Sequence, residues 1–244
     1  MIGAYYWDDM KDIENAIKAE KEYLEARRKG KNYNFPSKIR EFGFKSVEDF
    51  IFNKRGKDIK SLGIEVKHYP HNEAVEKLME AVKDERYIVV VSDSPEGVTV
   101  VYGGDNDNSE LECQSNGIPY HYMNRDGGTV VCGSGDFGFG IVLPKDIEGT
   151  WIVKMLYDIL KPYSKGFSIQ GNDIMLYDKK VAGYGKIKQT GNVSAFTVFI
   201  SFEDNVGVIQ QVCKKIGKTP GFIDDHILTK KQFEKDLKLW LKRK

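Results

Sequence analysis

Apolar residues recur at helical spacing between residues 8 and 28, where Ile13, Ala16, Ile17, Tyr23 and Leu24 form one stripe among charged positions. Gly30 closes that helix and a basic loop containing Pro36 follows. Ser46-Val47-Glu48-Asp49 then reads as a second helix start, with Phe50 and Ile51 facing inward. From Gly63 the period shortens to two, Ile64, Val66 and His68 alternating with Glu65, Lys67 and Tyr69, which predicts a strand. The helical period returns over 72–84, with Ala74, Leu78, Ala81 and Val82 on one stripe. Two β-branched runs, 87–91 and 98–102, flank Ser-Asp-Ser-Pro-Glu-Gly and read as a buried hairpin.

A short helix is expected from about Asn108 to Gly117, then a strand over 118–123. Residues 139–143 read as a strand stopped by Pro144, and 146–160 as a helix burying Ile152, Met155, Leu156 and Ile159. The stretch 196–202 is apolar at nearly every position, as in a strand covered on both faces. A short helix is expected over 206–216, and Thr229 caps a last one over 230–243.

Two stretches between these elements carry candidate chemistry. Gly171 to Gly185 is a hairpin pattern: Ile174-Met175-Leu176, a polar tip Tyr177-Asp178-Lys179, and a second run from Val181. Its strands can bring the Asp173 carboxylate beside the Lys180 ammonium. Asp173 suits a metal ion or a ribose, and Lys180 an anion such as phosphate or carboxylate. Gly183 and Gly185 leave room for a ligand to approach the backbone. The plain alternative is an exposed hairpin with a charged turn. The second stretch, Asn124 to Gly135, is a glycine-containing turn between strands, where the amides of Gly127 and Gly128 and the fork of Arg125 can meet a phosphate or carbonyl. It has neither Walker nor dinucleotide spacing, and its plain alternative is a β-turn with a surface arginine.

Composition narrows the class. The 244 residues are 41% hydrophobic and 30% charged, ordinary for a globular protein. With 37 basic and 36 acidic residues the net charge is +1, so no overall field argues for nucleic acid or an anionic membrane. No stretch approaches the ~18 apolar residues of a membrane span, and no signal peptide is expected from the first residues. Three scattered cysteines suggest neither disulfides nor zinc, which makes a reducing cytoplasm the expected location.

Asn172-Asp173-Ile174, a short hairpin, then Lys179-Lys180-Val181-Ala182-Gly183 resembles the signature shared by lipoate and biotin protein ligases. Upstream, Arg125-x-Gly127-Gly128-Thr129-x-Val131 is similar to the Arg-x-Gly-Gly-Gly-x-Val block of lipoate ligases. The order Asn72-Glu73-Ala74, Gly104-Asp105-Asn106, Gly117-Ile118-Pro119 also follows that family. The chain departs from it at Thr129 (a third glycine), Cys132 (an aromatic), Gly133 (a His) and Ala195-Phe196-Thr197 (His-Gly-Thr).

The resemblance covers roughly 72–244 and implies an α/β (α+β) fold, a mixed central sheet with helices on one side, for a domain over 63–244. Residues 1–62, outside the resemblance, read from their own periodicity as a helical extension. It implies ATP-dependent activation of lipoate or octanoate to an acyl-adenylate, then transfer to a lysine of a lipoyl-type carrier domain. Lys180 would contact the acyl carbonyl and phosphate. Arg125, Gly127, Gly128, Asn172, Asp173, Val181 and Gly183 would line the substrate and nucleotide site, with Asp173 a candidate Mg ligand. Lipoate is favoured over biotin because the Gly-Arg repeats and Trp of biotin ligases are missing. The alternatives are an ATP-independent octanoyl- or lipoyl-transferase using Cys213, and a binding module without catalysis.

Overall fold

Three strands are apolar on both faces, β2 (Ile88–Asp93), β6 (Phe137–Pro144) and β10 (Val193–Ile200), because each lies inside a sheet that is covered twice. The computed structural model describes residues 62–244 apart from 106–108, 189, 214–215 and 243–244, with isolated positions at 22, 25–26, 28–30 and 59. Contacts divide the chain into two compact units, Met1–Asp58 and Ile59–Lys244, and the elements below belong to the second. The helices expected over 8–28 and from Ser46 lie outside the described residues, save for isolated positions of the first.

The strand expected after Gly63 is β1 (Glu65–Pro70), and α1 (His71–Lys83) buries the four residues of its predicted stripe. Helix α1 carries the chain across to β2, which pairs parallel to β1 as such a crossover allows. The seven-stranded sheet runs β1-β2-β6-β10-β9-β8-β7, with β7 at Phe167–Gln170, β8 at Asp173–Leu176 and β9 at Lys179–Lys186. All its pairs except β1–β2 are antiparallel.

Residues 87–91 and 98–102 do form strands, but they do not form a hairpin. Both edges of β2 are taken, by β1 and by β6. β3 (Val100–Gly103) therefore leaves and joins a three-stranded sheet with β4 (Tyr120–Tyr122), parallel, and β5 (Val130–Cys132), antiparallel. Between β3 and β4 lies the expected short helix, α2 (Glu110–Ser115).

Register fixes what each face carries. Ser92, Gly138, Phe199, Gly183 and Asp173 are cross-strand partners in one row, and Val90, Gly140, Thr197 and Gly185 in the next. This face is covered by α1, whose Leu78 sits over Gly140, and by the small sheet, whose Tyr102 ring lies 5.3 Å from that of Phe199. The opposite face carries α3 (Gly149–Leu160) and α5 (Lys230–Lys242), joined by Trp151 against Trp240 at 5.3 Å, with Phe233 edge-on to Phe137. Helices thus lie on both sides of the sheet. The one-sided arrangement expected from the resemblance is corrected, because α1 crosses on the face opposite α3 and α5. Helix α4 (Val206–Val212) is shorter than the expected 206–216, and the Thr229 hydroxyl accepts the Gln232 amide at 3.2 Å as its capping role requires.

Candidate functional site around Lys180

The hairpin is present, with Tyr177 at its two-residue turn and in the left-handed region at φ 57°. Asp173 pairs with Gly183 and Ile174 with Ala182, but Met175 pairs with Lys180, so β9 carries one extra residue, Val181. In a regular strand Lys180 and Gly183, three apart, would face opposite sides. The bulge at the buried Val181 turns Lys180 to the face of Asp173 and Gly183. Lys180 Nζ then lies 2.8 Å from Asp173 Oδ1. Their packing requires a glycine at 183, where a Cβ would sit 2.6 Å from Asp173 Oδ1 and 3.3 Å from Lys180 Nζ. The space that the sequence reading reserved for a ligand is filled at this position by the protein's own ion pair.

The backbone of Lys180 is held by a segment the sequence reading did not single out. Its N–H donates to Thr219 O at 2.8 Å, and the Gly221 N–H donates to Lys180 O at 2.9 Å. That segment supplies Lys218, whose Nζ donates to Asp173 Oδ2 at 2.7 Å and Gln170 O at 2.8 Å. The only sequence signal is a lysine within the turn-rich run Gly217-Lys218-Thr219-Pro220-Gly221. Asn172 turns to the other side of its strand and accepts the Tyr184 hydroxyl at 3.1 Å.

At the far end of β9 the Arg125 turn is stitched to the same strand. Asp126 N–H donates to Lys186 O, Lys188 N–H to Asn124 O, and Arg125 bridges Ile187. Gly185 permits the contact, since a Cβ there would lie 2.5 Å from Asp126 O and 2.9 Å from Arg125 Nη1. The two stretches picked out in the sequence thus meet along one strand, at Gly185 and Gly183, about 7 Å apart. Arg125 is only 2% exposed. Its guanidinium donates to Gly128 O at 2.8 Å, and to Tyr102 O and Asp126 O at 3.1 Å. The fork that the sequence reading assigned to a ligand's phosphate is committed to carbonyls of the protein, where it fixes the turn bearing Gly127 and Gly128. Thr197, the one family residue kept in its triplet, donates to Gly185 O at 3.4 Å.

Magnesium does not fit Asp173 as the site stands, because an ammonium group occupies each of its oxygens. Among the described residues no group of three His, Cys, Asp or Glu side chains is arranged to hold a metal.

Gly133 stands where the resemblance has a histidine. A Cβ here would be 2.4 Å from Glu203 Oε2 and 3.1 Å from Asn205 Nδ2, so those side chains fill the place. They belong to a buried knot around Asp136, which accepts the amides of Gly133, Phe202 and Glu203 and the Asn205 Nδ2. Burial pushes the Asp136 carboxyl up to about 6 against those donors. The thiols offer little nucleophilic character: burial drives that of Cys132 upward, and Cys113 is buried. Cys213 caps the C-terminus of α4, just beyond the helix in which the sequence placed it, and packs against a cluster of Val101, Cys113, Val131 and Val212.

No protein-family model and no curated protein matches this sequence. Solved structures do. A bi-partite lipoate protein ligase from Thermoplasma acidophilum is 13% identical with a TM-score of 0.57, over 72% of this chain and 80% of that one. P. falciparum LipL1 in complex with lipoate is 17% identical with a TM-score of 0.54, over 73% of this chain and 59% of that one. A lipoate-protein ligase A bound with ATP is 14% identical with a TM-score of 0.52, over 71% of this chain and 81% of that one. No helix among the described residues is long and apolar enough to cross a membrane. What such identities share is architecture: this chain has the fold of the lipoate protein ligases.

Proposed function

We propose that residues 63–244 form a lipoate protein ligase-like enzyme that activates lipoate or octanoate with ATP and passes the acyl group to a lysine of a lipoyl-type carrier domain. The observation that carries this reading is the placement of Lys180. A bulge, a glycine and a carboxylate together aim its ammonium along the strand to which the Arg125 turn is bound. The fold is shared with proteins solved with lipoate and with ATP, and with a ligase described alongside its E2 lipoyl domain.

The chemistry asks little covalent work of the protein. An oxygen of the acid attacks the α-phosphorus of ATP, the bond to pyrophosphate breaks, and an acyl-adenylate results. The neutral ε-amine of the carrier lysine then attacks the acyl carbonyl, and AMP leaves. Lys180, half exposed, stabilises negative charge as it develops on the carbonyl and phosphate oxygens. Arg125 acts at one remove, by holding the turn that bears Gly127 and Gly128. No step is assigned to Cys213.

Pyrophosphate release from ATP on adding lipoate, octanoate or biotin tests the reading. Release with lipoate or octanoate, lost in Lys180→Ala, is the expected result. Its absence with all three acids would refute the proposal.

A further inference from the structure

One carboxylate bridges two ammonium groups that arrive from segments far apart in the chain. Asp173 Oδ1 meets Lys180 on β9, and Oδ2 meets Lys218 on the segment clamped to β9 by the Thr219 and Gly221 backbone bonds. The arrangement is seated on Gly183, where a Cβ would press on Asp173 and Lys180 alike. It is also unbalanced, two positive charges facing one negative. Each ammonium has three donors. Lys180 meets Asp173 as an ion pair, whereas Lys218 spends two donors, on Asp173 and Gln170 O. Among the described residues both ammonium groups keep donors without a partner, on side chains that are 44% and 31% exposed. Asp173 itself demonstrates that an anion the size of a carboxylate spans the pair from one side.

We propose that Lys218 is a second ligand-contacting residue of this site, forming with Lys180 a two-ammonium fork for one anionic group, a carboxylate or the paired oxygens of a phosphate. Asp173 is the internal counter-ion that sets the spacing of the fork and keeps both lysines ordered when no ligand is bound. The inference rests on the ligase reading for the identity of the anion, either the acid's carboxylate or the adenylate's phosphate. Lys218→Met keeps the aliphatic stem and leaves the segment in place, because the clamp on β9 is made by backbone groups.

The test is calorimetric titration of the full chain with three probes: lipoate alone, AMP alone, and a lipoyl-adenylate analogue in which a methylene replaces the anhydride oxygen. Removing a charge-assisted contact is expected to weaken binding of the analogue about 10- to 100-fold in Lys218→Met, to lessen its salt dependence, and to leave Lys218→Arg within a few-fold of the parent. A parallel loss with AMP places the fork on the phosphate, and a loss with lipoate on the carboxylate. Either supports the proposal. Analogue binding unchanged in Lys218→Met but weakened in Lys180→Ala overturns it and leaves the ligase reading standing. An unmodified chain that binds none of the three probes overturns both.

Discussion

Gly183→Ala is the sharpest perturbation available, because it adds one methyl group and changes no charge. The new Cβ would lie 2.6 Å from Asp173 Oδ1, 3.2 Å from Lys180 Cε and 3.3 Å from Lys180 Nζ, so the first contact has to open to about 3.4 Å. The atoms that give way are the ends of side chains, not backbone. Gly183 has no positive φ, so alanine meets no backbone strain. Lys180 is 44% exposed, although Asp173 is only 16% exposed, and pairs with so open a partner contribute on the order of 1 kcal/mol or less to stability. Alanine in place of glycine in a strand recovers about 0.5–1 kcal/mol of chain entropy. These terms nearly cancel, and the melting temperature should stay within a few degrees. Activity should not. Displacing a positioned group by close to 1 Å costs about 100-fold. Pyrophosphate release with lipoate and ATP, measured beside thermal melting, reads both quantities. Activity within twofold of the parent would sink the claim that Lys180 works from this geometry. A loss of more than about 3 kcal/mol would show that Gly183 serves the fold instead.

Other substitutions separate fold from site. Arg125→Lys removes a fork that donates to three carbonyls from a nearly buried position, and should lower stability by at least about 2 kcal/mol in chemical denaturation; a change under 0.5 kcal/mol would show that the turn does not need it. Thr229→Ala should cost about 1 kcal/mol through the lost cap on α5, and an unchanged denaturation midpoint would contradict that role. Asp136 keeps its proton to about pH 6 when folded, against 3.8 for the ordinary group. Its contribution to stability therefore falls as pH rises from about 4 to 6 and is level above. Asp136→Asn should remove that slope and, by turning an amide NH2 towards the donors, cost about 1–3 kcal/mol; identical pH profiles for variant and parent would refute the assignment.

Much of this could be read from residue order. The stripe of α1, the Thr229 cap and the hairpin around Tyr177 are local patterns, and local patterns are what periodicity encodes. Partnership is not local. Runs 87–91 and 98–102 carry every mark of a hairpin, yet β2 finds both its neighbours elsewhere. The bulge at Val181 leaves no trace in Lys-Lys-Val-Ala-Gly, although it decides which face Lys180 serves. Lys218 is close to Asp173 only once a distant loop has folded onto β9. Arg125 shows the converse limit: residue type announces a set of donors, and only packing reveals that they point inward.

The way Lys180 is held also makes its own amide a reporter. In the interior of a sheet, amide hydrogen exchange waits on the separation of strands. The Lys180 N–H instead donates to Thr219, on the segment that brings Lys218 to the site. Exchange at this one amide therefore follows excursions of that segment while the neighbouring pairing of Ala182 with Ile200 stays closed. Its rate, followed with and without ligand, gives the free energy with which the site assembles, in a protein whose sheet need never open.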